Sequence, residues 1–354
     1  MPKKADHKNI LVIRLSAMGD VAMTVPVLLA LTRRYPGLHI TVATKAHNAP
    51  IFTALMNVSV IPVRVTKEHK GILGLLRLYK QLRKTPFDAV VDLHHVLRSN
   101  LLVTLFKLSG IRTAQLNKGR KEKKRLTRSR NKVFRSLPHT TERYAAVFSK
   151  LGLAAKPGTS NFLPRIPLSQ KMISQLGETS SIKIGVAPFA AHSSKMYDLK
   201  LMEDVIRSVM DGVDCTILLF GGGKKEVNEL ENMGLTMGSK VISLAGKVRF
   251  AEELAVISNL DLMLAMDSGN GHLAANYGVP VVTIWGVTHP FAGFSPYRQP
   301  IENALLPDRS IFPLIPTSVY GNTYPESYKN AINSIPPGAI VEKIKEVLNR
   351  NSGN

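Results

Sequence analysis

Short apolar runs recur along the chain, and each is followed by a polar or glycine-rich turn and then by an amphipathic segment. Such runs are typical of strands buried on both faces, and the amphipathic segments are typical of helices. Because strands alternate with helices in both halves, the sequence predicts an α/β protein with two parallel sheets. The predicted strands are 10–15, 39–43, 58–65 and 87–93 in the first half, and 183–187, 215–220, 241–244, 262–266 and 281–285 in the second.

The 354 residues are too many for one comfortable hydrophobic core, and a stretch rich in Pro, Ser and Gly separates the two series of strands. We therefore place an N-terminal Rossmann-like domain at 1–165, a linker at 166–181 and a second Rossmann-like domain at 182–337. An amphipathic helix and tail follow at 338–354. A return of this last helix to the first domain is one arrangement that we expect.

The segment AMDSGNGHLAANYGVPVVTIWG, from Ala265 to Gly286, contains a strand, a glycine-rich turn and a helix in that order. The turn begins at Asp267, and the helix begins near His272. A helix N-terminus offers unpaired amides and the positive end of a dipole to an anion, and ligands bind at the carboxyl ends of strands in open α/β sheets. A diphosphate fits such a site. Because Asp267 and Ser268 are also ordinary N-cap residues, spacing alone leaves a purely structural role open.

The turn after the first strand, 16–20, is also followed by a helix. It has neither the G-x-G-x-x-G dinucleotide fingerprint nor a Walker lysine, so we predict no nicotinamide cofactor and no P-loop. His94 and His95 follow the fourth strand, but no carboxylate or cysteine completes a ligand set in the sequence around them. We predict neither a metal ion nor a cofactor.

The net charge of +22 is concentrated in the first half. Residues 1–170 contain 31 Lys and Arg against 7 Asp and Glu, and the remainder contains 16 against 18. This asymmetry indicates a polyanionic partner for the first half, although a basic surface kept for solubility would look similar. Residues 118–135 hold ten basic residues but the single aromatic Phe134, which argues against stacking on nucleic-acid bases. We interpret this stretch as binding the phosphates or carboxylates of a large substrate, or an anionic membrane.

The single cysteine, Cys215, excludes a disulfide framework and favours a reducing compartment. The apolar stretch at 10–15 is too short for a signal sequence and is interrupted by Arg14, and no apolar stretch reaches the length of a membrane span. We expect a cytoplasmic protein, and the interpretation of the basic stretch allows it to bind an anionic membrane peripherally.

Two motifs, RLSAMGDVAMTVP at 14–26 and DSGNGHLAANYGVP at 267–280, resemble those of glycosyltransferase family 9, the ADP-heptose:lipopolysaccharide heptosyltransferases. The resemblance extends over about 10–290 and is weak in the basic middle. It implies the GT-B fold, in which two Rossmann-like domains face each other. The first would bind the acceptor and the second the nucleotide-sugar.

The resemblance also implies roles for individual residues. Asp20 matches the catalytic carboxylate, which would take a proton from the acceptor hydroxyl during an inverting transfer. Lys195 matches a lysine that stabilises the departing diphosphate without a metal. The loop before this lysine usually carries small hydroxyl residues, whereas here Ala190 and Ala191 stand ahead of it. The remaining donor-binding residues implied are Ser193, Ser194, Glu226 (with Glu229 as an alternative), Lys247, Val248, Asp267, Ser268, Gly269 and His272. For the acceptor we select Ser16, Lys118, Arg120, Lys121, Lys123, Lys124 and Arg125.

The function implied is the transfer of heptose from ADP-heptose to the inner core of lipopolysaccharide, with an anionic glycolipid (lipid A with acidic core sugars) as the acceptor. Two alternatives remain open. The same fold could use another nucleotide-sugar in cell-envelope glycan synthesis, or the protein could be a non-catalytic polyanion-binding protein. No nucleic-acid partner is expected.

Overall fold

The computed structural model describes residues 8–154, 157–158, 162–176 and 182–352. The chain divides into two compact units. The first comprises Met1–Gly119 and Pro138–Leu163, and the second comprises Arg120–Leu137 and Pro164–Asn354.

The first unit contains a five-stranded sheet in the order β3-β2-β1-β4-β5, in which every neighbouring pair is parallel. The central strands are buried because their side chains are apolar on both faces. The strands are β1 (Asn9–Ile13), β2 (His39–Lys45), β3 (Val58–Val63), β4 (Ala89–Asp92) and β5 (Arg112–Gln115). The helices are α1 (Met18–Ala22), α2 (Val25–Arg34), α3 (Gly71–Leu82), α4 (Leu97–Leu108) and α6 (Thr140–Ser149), the helix between the last two, α5 (Arg120–Thr127), being part of the second unit.

The second unit contains a six-stranded parallel sheet in the order β11-β10-β9-β6-β7-β8. Its strands are β6 (Ile182–Ala187), β7 (Cys215–Leu219), β8 (Val241–Ser243), β9 (Leu262–Met266), β10 (Val281–Ile284) and β11 (Ala304–Leu305). Its helices are α5 (Arg120–Thr127), α7 (Gln170–Leu176), α8 (Leu199–Gly212), α9 (Lys224–Met237), α10 (Phe250–Ser258), α11 (Gly269–Asn276) and α12 (Pro337–Ser352). All nine predicted strands are present, and the two parallel sheets confirm the predicted fold class.

The last helix, α12, packs within the second unit. Ile340, Ile344 and Val347 are buried in the same apolar core as strands β6, β7 and β9. The expectation that this helix returns to the first domain is therefore wrong. Its apolar stripe showed that one face is buried, but a stripe does not identify the surface that covers it.

The basic segment, which we define as residues 120–137, also belongs to the second unit. Leu126 and Leu137 form a small apolar cluster with Ala292, and the Leu137 amide donates to the Phe291 carbonyl at 2.9 Å. The structural boundary at 163 is close to the predicted end of the first domain at 165. The basic segment, however, belongs to the second unit, although we predicted it in the first domain. The first unit then carries 21 basic against 6 acidic residues, and the second carries 26 against 19.

The predicted linker, 166–181, contains α7, and its last part, 177–181, lies outside the described residues. Among the helices that the structure describes, none is both long and apolar enough to cross a membrane.

Candidate active site

Each sheet has a point where the chain reverses its direction of travel across the strands. In the first unit, β1 lies between β2 and β4. In the second, β6 lies between β7 and β9. Open α/β sheets bind ligands outside the carboxyl ends of the strands at such switch points. The loops after β1 and β4 define the first switch point, and the loops after β6 and β9 define the second.

The first switch point holds an ion pair between Arg14 and Asp20. One guanidinium nitrogen of Arg14 lies 2.6 Å from Oδ2 of Asp20, and the other donates to the Leu93 carbonyl at 2.5 Å. The Arg14 side chain is 6% exposed and that of Asp20 is 27% exposed. Arg14 thus ties the turn after β1 to the end of β4 and presents a partly exposed carboxylate.

Two further contacts fix Asp20. The Ala17 amide donates to Oδ2 at 3.4 Å, and the Tyr144 hydroxyl donates to the Asp20 main-chain carbonyl at 3.3 Å. The Tyr144 ring also lies 5.8 Å from the Arg14 guanidinium carbon, within range of a cation–π interaction. No described residue donates a hydrogen bond to Oδ1, so this oxygen remains available to a substrate hydroxyl.

The other side of the first switch point is shaped by Asp92, whose side chain is buried. Its Oδ1 accepts hydrogen bonds from the amides of His94 and His95, each at 2.8 Å. Burial, followed by the positive charges of Arg14 and Lys118, lowers the pKa of His94 to about 4. The His94 Nδ1 is buried and has no hydrogen-bond partner in the structure as described. The imidazole is therefore neutral at pH 7.

The second switch point holds an ion pair between Lys195 and Asp267. Nζ of Lys195 lies 2.9 Å from Oδ2 of Asp267, and the two side chains are 12% and 10% exposed. The Thr288 hydroxyl donates to the same carboxylate oxygen at 2.8 Å. Because α11 begins at Gly269, the ion pair lies beside a helix N-terminus, where amides and dipole favour an anion.

Close backbone packing holds the Ser193–Lys195 turn. Ser194 is buried, and its hydroxyl donates to the Gly321 carbonyl at 2.5 Å. A Cβ on Gly321, whose φ is +87°, would lie 2.6 Å from Cδ of Lys195. A Cβ on Gly286 would lie 1.9 Å from the Ser194 carbonyl oxygen. Both glycines are therefore required for Lys195 to reach Asp267.

The remaining donor-side residues lie on loops and helix starts at the same edge of the second sheet. Oε2 of Glu226 accepts a hydrogen bond from the Gly222 amide at 2.7 Å, and Glu229 is exposed. Nζ of Lys247 lies 3.4 Å from Glu231, on the outer surface. Four further predicted residues lie at this edge of the second sheet. Ser193 is exposed, Val248 is half-buried, Ser268 is the N-cap residue of α11, and His272 is buried in the first turn of that helix.

The predicted acceptor residues are divided between the units. Ser16 and Lys118 lie in the first unit, and the other five lie on α5 of the second. Lys123 is buried, with Nζ 3.9 Å from the centre of the Phe294 ring, and this contact gives it a structural role. The other four, Arg120, Lys121, Lys124 and Arg125, are exposed.

The basic segment is anchored next to the second switch point. The Phe134 ring lies 5.1 Å from that of His289, which follows Thr288, and 3.6 Å from the guanidinium carbon of Arg309. Nζ of Lys132 donates to the carbonyl of Leu126 and to that of Pro316. Burial, with Arg309 nearby, lowers the pKa of Lys132 to about 8.

Sequence reasoning missed Arg14, Tyr144 and Thr288. Arg14 did carry a signal, because it is the one charged residue in the strand sequence ILVIRL, and a buried charge must have a partner. Tyr144 and Thr288 carried none. In the described part of the chain, no group of three or more His, Cys, Asp or Glu side chains is arranged to hold a metal ion. The metal-independent mechanism remains a prediction.

The chain is similar to known glycosyltransferases. A sequence model described as glycosyltransferase family 9 (heptosyltransferase) matches residues 75–310, about two thirds of the chain. The lipopolysaccharide core heptosyltransferase OpsX of Haemophilus influenzae is 24% identical over 296 residues, which cover 82% of each chain. Lipopolysaccharide heptosyltransferase 3 of Escherichia coli is 25% identical over 283 residues, or 76% of this chain and 80% of that protein.

Solved structures share the fold. The glycosyltransferase family 9 structure from Veillonella parvula superposes with a TM-score of 0.73 at 21% identity, covering 97% of this chain and 98% of that one. The E. coli heptosyltransferase WaaC, solved with ADP, gives a TM-score of 0.67 at 18% identity, covering 96% and 99%. Both support the GT-B class, with two Rossmann-like units. The span matched by the family model contains Lys195 and Asp267, whereas Asp20 precedes it.

Proposed function

The chain belongs to glycosyltransferase family 9, the heptosyltransferase family, and from this premise we propose that it transfers heptose from ADP-heptose to the inner core of lipopolysaccharide. We further propose that the transfer inverts the anomeric centre and needs no metal ion. Membership in an enzyme family is at odds with the alternative of a non-catalytic polyanion-binding protein.

The observation that carries the proposal is the Lys195–Asp267 pair at the start of α11. The helix-end amides of Ser268 and Gly269 would bind the diphosphate of the donor. Among the described residues, Lys195 has only Asp267 as a polar side-chain partner, so its other N–H groups can meet a phosphate. A fixed positive charge at this position stabilises the charge that develops on the leaving ADP. The solved relative WaaC binds ADP, which supports an adenine nucleotide donor.

Asp20 supplies the base in this proposal. Its Oδ1 would accept the proton of the acceptor hydroxyl while the hydroxyl oxygen forms a bond to the anomeric carbon. The bond from that carbon to the diphosphate breaks at the same time, ADP leaves, and the configuration is inverted. Arg14 acts as a positioning residue because it holds Oδ2 and leaves Oδ1 exposed.

We propose that the first unit binds the acceptor and the second binds the donor. Ser16 and Lys118 lie in the first unit, and the exposed cations of α5 offer further positive charge to the phosphates and acidic sugars of a lipid A acceptor. Such an acceptor is anchored in a membrane, so the protein would work at the cytoplasmic face of the inner membrane.

The test is product formation from ADP-heptose and a lipid A acceptor with acidic core sugars. We expect the wild type to turn over, and Asp20→Asn to reduce kcat by about 10²–10⁴, the usual contribution of a general base. The exposed acid Asp211 serves as the matched control, and Asp211→Asn should retain full activity. An Asp20→Asn variant with wild-type kcat would remove Asp20 from the mechanism.

A second candidate donor is another nucleotide-sugar, because Ala190 and Ala191 replace the hydroxyl residues usual in the donor loop. Thermal unfolding in the presence of different sugar nucleotides separates the two. A ligand that binds only the folded state raises Tm more when it binds more tightly, so ADP-heptose should give the largest shift at equal concentration. A larger shift with a uridine or guanosine sugar nucleotide would favour the second candidate.

A further inference from the structure

Three large apolar side chains are exposed together on the first unit. Ile72, Leu73 and Leu97 are 69%, 78% and 88% exposed, and we call them the apolar rim. Ile72 and Leu73 lie in the first turn of α3, and Leu97 is the first residue of α4. Single exposed apolar residues are ordinary, whereas a group of them on one surface marks an interaction site.

The packing of α3 against α4 places the three residues on one face of the first sheet. The Tyr79 ring lies 5.0 Å from that of Phe106, and the Tyr79 hydroxyl donates to the Leu105 carbonyl at 3.4 Å. Tyr79 comes eight residues after the start of α3, and Phe106 comes nine after the start of α4. Both helices connect parallel strands of one sheet and run in the same direction. Their first turns therefore lie on the same face and at the same end of the sheet.

The apolar rim lies at the edge of the sheet that carries Asp20. The strands β1, β3 and β4 are parallel, so the segments that follow them begin at the same, carboxyl edge. Asp20 follows β1 and Leu97 follows β4 by five residues. Two other apolar residues of the unit, Met56 and Leu108, are 81% and 80% exposed at the opposite edge.

The charges around the apolar rim are positive. Lys67, Lys70 and Arg98 are exposed and have no carboxylate partner in the described structure, while the nearby acid Glu68 pairs with Arg64. Exposed apolar side chains flanked by free cations fit the headgroup region of an anionic bilayer. A second copy of the chain fits poorly, because the first unit carries 21 basic against 6 acidic residues and would repel its own image.

We propose that the apolar rim docks the protein on an anionic lipid bilayer, with Ile72, Leu73 and Leu97 entering the headgroup region and Lys67, Lys70 and Arg98 meeting lipid phosphates. Docking would bring the edge that carries Asp20 to the lipid surface. The inference deepens the proposed function, since a base that acts on a membrane-anchored glycolipid must work at that surface.

The test is co-sedimentation of the full chain with vesicles, either with 30% phosphatidylglycerol in phosphatidylcholine (roughly the charge density at which basic clusters bind) or with phosphatidylcholine alone. We expect the wild type to bind the anionic vesicles only, and I72S/L73S/L97S to weaken the partition coefficient at least about tenfold, since three apolar side chains lose their burial. The control M56S/L108S removes equally exposed apolar residues from the opposite edge and should bind like the wild type. Each of K67S, K70S and R98S should weaken binding about fivefold.

Three results of the vesicle assay would overturn the proposal. They are equal binding of the wild type to both kinds of vesicle, wild-type binding by I72S/L73S/L97S, and a loss of binding in M56S/L108S as large as that in I72S/L73S/L97S. A dimer in light scattering that I72S/L73S/L97S dissociates would also overturn it, because the rim would then bind a second copy. Transfer to a detergent-dispersed acceptor should be unchanged in I72S/L73S/L97S, whereas transfer to a vesicle-embedded acceptor should fall. If the wild type transfers no heptose but still binds vesicles through the rim, the proposed function fails and the docking surface stands.

Discussion

The two switch points use the same kind of ion pair to present opposite charges. In the first unit the cation, Arg14, is buried directly after β1 and has two oxygen partners, so the carboxylate of Asp20 retains a free oxygen. In the second the carboxylate, Asp267, has two donors on one oxygen, so the ammonium of Lys195 retains free N–H groups. The chain thus presents a carboxylate at one switch point and an ammonium at the other by exchanging which partner is held and which is presented.

At the second switch point, removing the presented cation should have the largest effect. We expect Lys195→Met to lower kcat by about 10²–10³, as the loss of a preorganised charge at a leaving group does. It should also lower the free energy of unfolding by about 3 kcal/mol, because Asp267 then remains buried without its cation. Steady-state kinetics and denaturant unfolding measure the two effects. The exposed Lys200 provides the control, and a Lys195→Met enzyme as fast as Lys200→Met would show that the pair is only structural.

A smaller effect should follow from displacing Lys195 while keeping its charge. In Gly286→Ala the new Cβ would meet the Ser194 carbonyl at 1.9 Å, so the Ser193–Lys195 turn must move. We expect the Kd for ADP, measured by calorimetry, to rise about tenfold, and the free energy of unfolding to fall by about 1–3 kcal/mol from overpacking. Gly338→Ala places a Cβ in open space in the same unit and should leave the Kd unchanged. Unaltered ADP binding by Gly286→Ala would contradict a phosphate-binding role for this turn.

Replacing Arg14, which supports Asp20, should lower kcat less than replacing Asp20 itself. Arg14→Lys keeps the charge, but a compact ammonium cannot reproduce the planar fork that reaches Asp20 and the Leu93 carbonyl together. We expect kcat to fall about tenfold, as misplacement of a base does, with little change in the KM for ADP-heptose. Arg207→Lys, at an exposed position of the second unit, is the control. A change confined to the KM for the donor would contradict the assignment of this pair to the acceptor side.

Strand positions could be predicted from the sequence because an apolar run is a local pattern, and such runs identified nine strands. The resemblance to the family, rather than the local pattern, led to Asp20 and Lys195. β5 was missed because RTAQ is a short, mostly polar run, and β11 because it has two residues. Both are edge strands, where burial is incomplete and leaves no apolar signature.

The sequence did not predict which distant segments pack against each other. The basic segment follows β5 of the first unit in the chain but packs with Phe291 and Ala292 of the second. Likewise, the stripe of α12 did not reveal that it covers the second sheet. The supporting partner Thr288 belongs to the same class, since only the completed sheet brings it near Asp267.

The smallest predicted effect concerns one histidine at each switch point, His94 at the first and His289 at the second. Burial, followed by two nearby cations, lowers the pKa of His94 to about 4 and has the same effect on His289, whose cations are Arg309 and Lys132. An unfolded histidine titrates near 6.5. Between pH 6.5 and pH 4 the unfolded state therefore binds a proton that the folded state excludes, and stability is lost as the pH falls through this window.

Replacing either histidine by glutamine removes its contribution to this loss. We expect the Tm of His94→Gln to fall by roughly 2–4 °C less than that of the wild type between pH 6.5 and pH 4. The lowered pKa is worth at most about 3 kcal/mol by pH 4, and solvent screening of the half-buried ring reduces this to about 1 kcal/mol. About 1 kcal/mol shifts Tm by that amount in a domain of this size. His289→Gln should behave alike, and His39→Gln, at an exposed position, should follow the wild type. If only His289→Gln reduced the fall of Tm between pH 6.5 and pH 4, the folded state would tolerate protonation of His94. Water would then reach the first switch point well enough to solvate the charge. The two switch points would then differ in solvation as well as in the charge that they present.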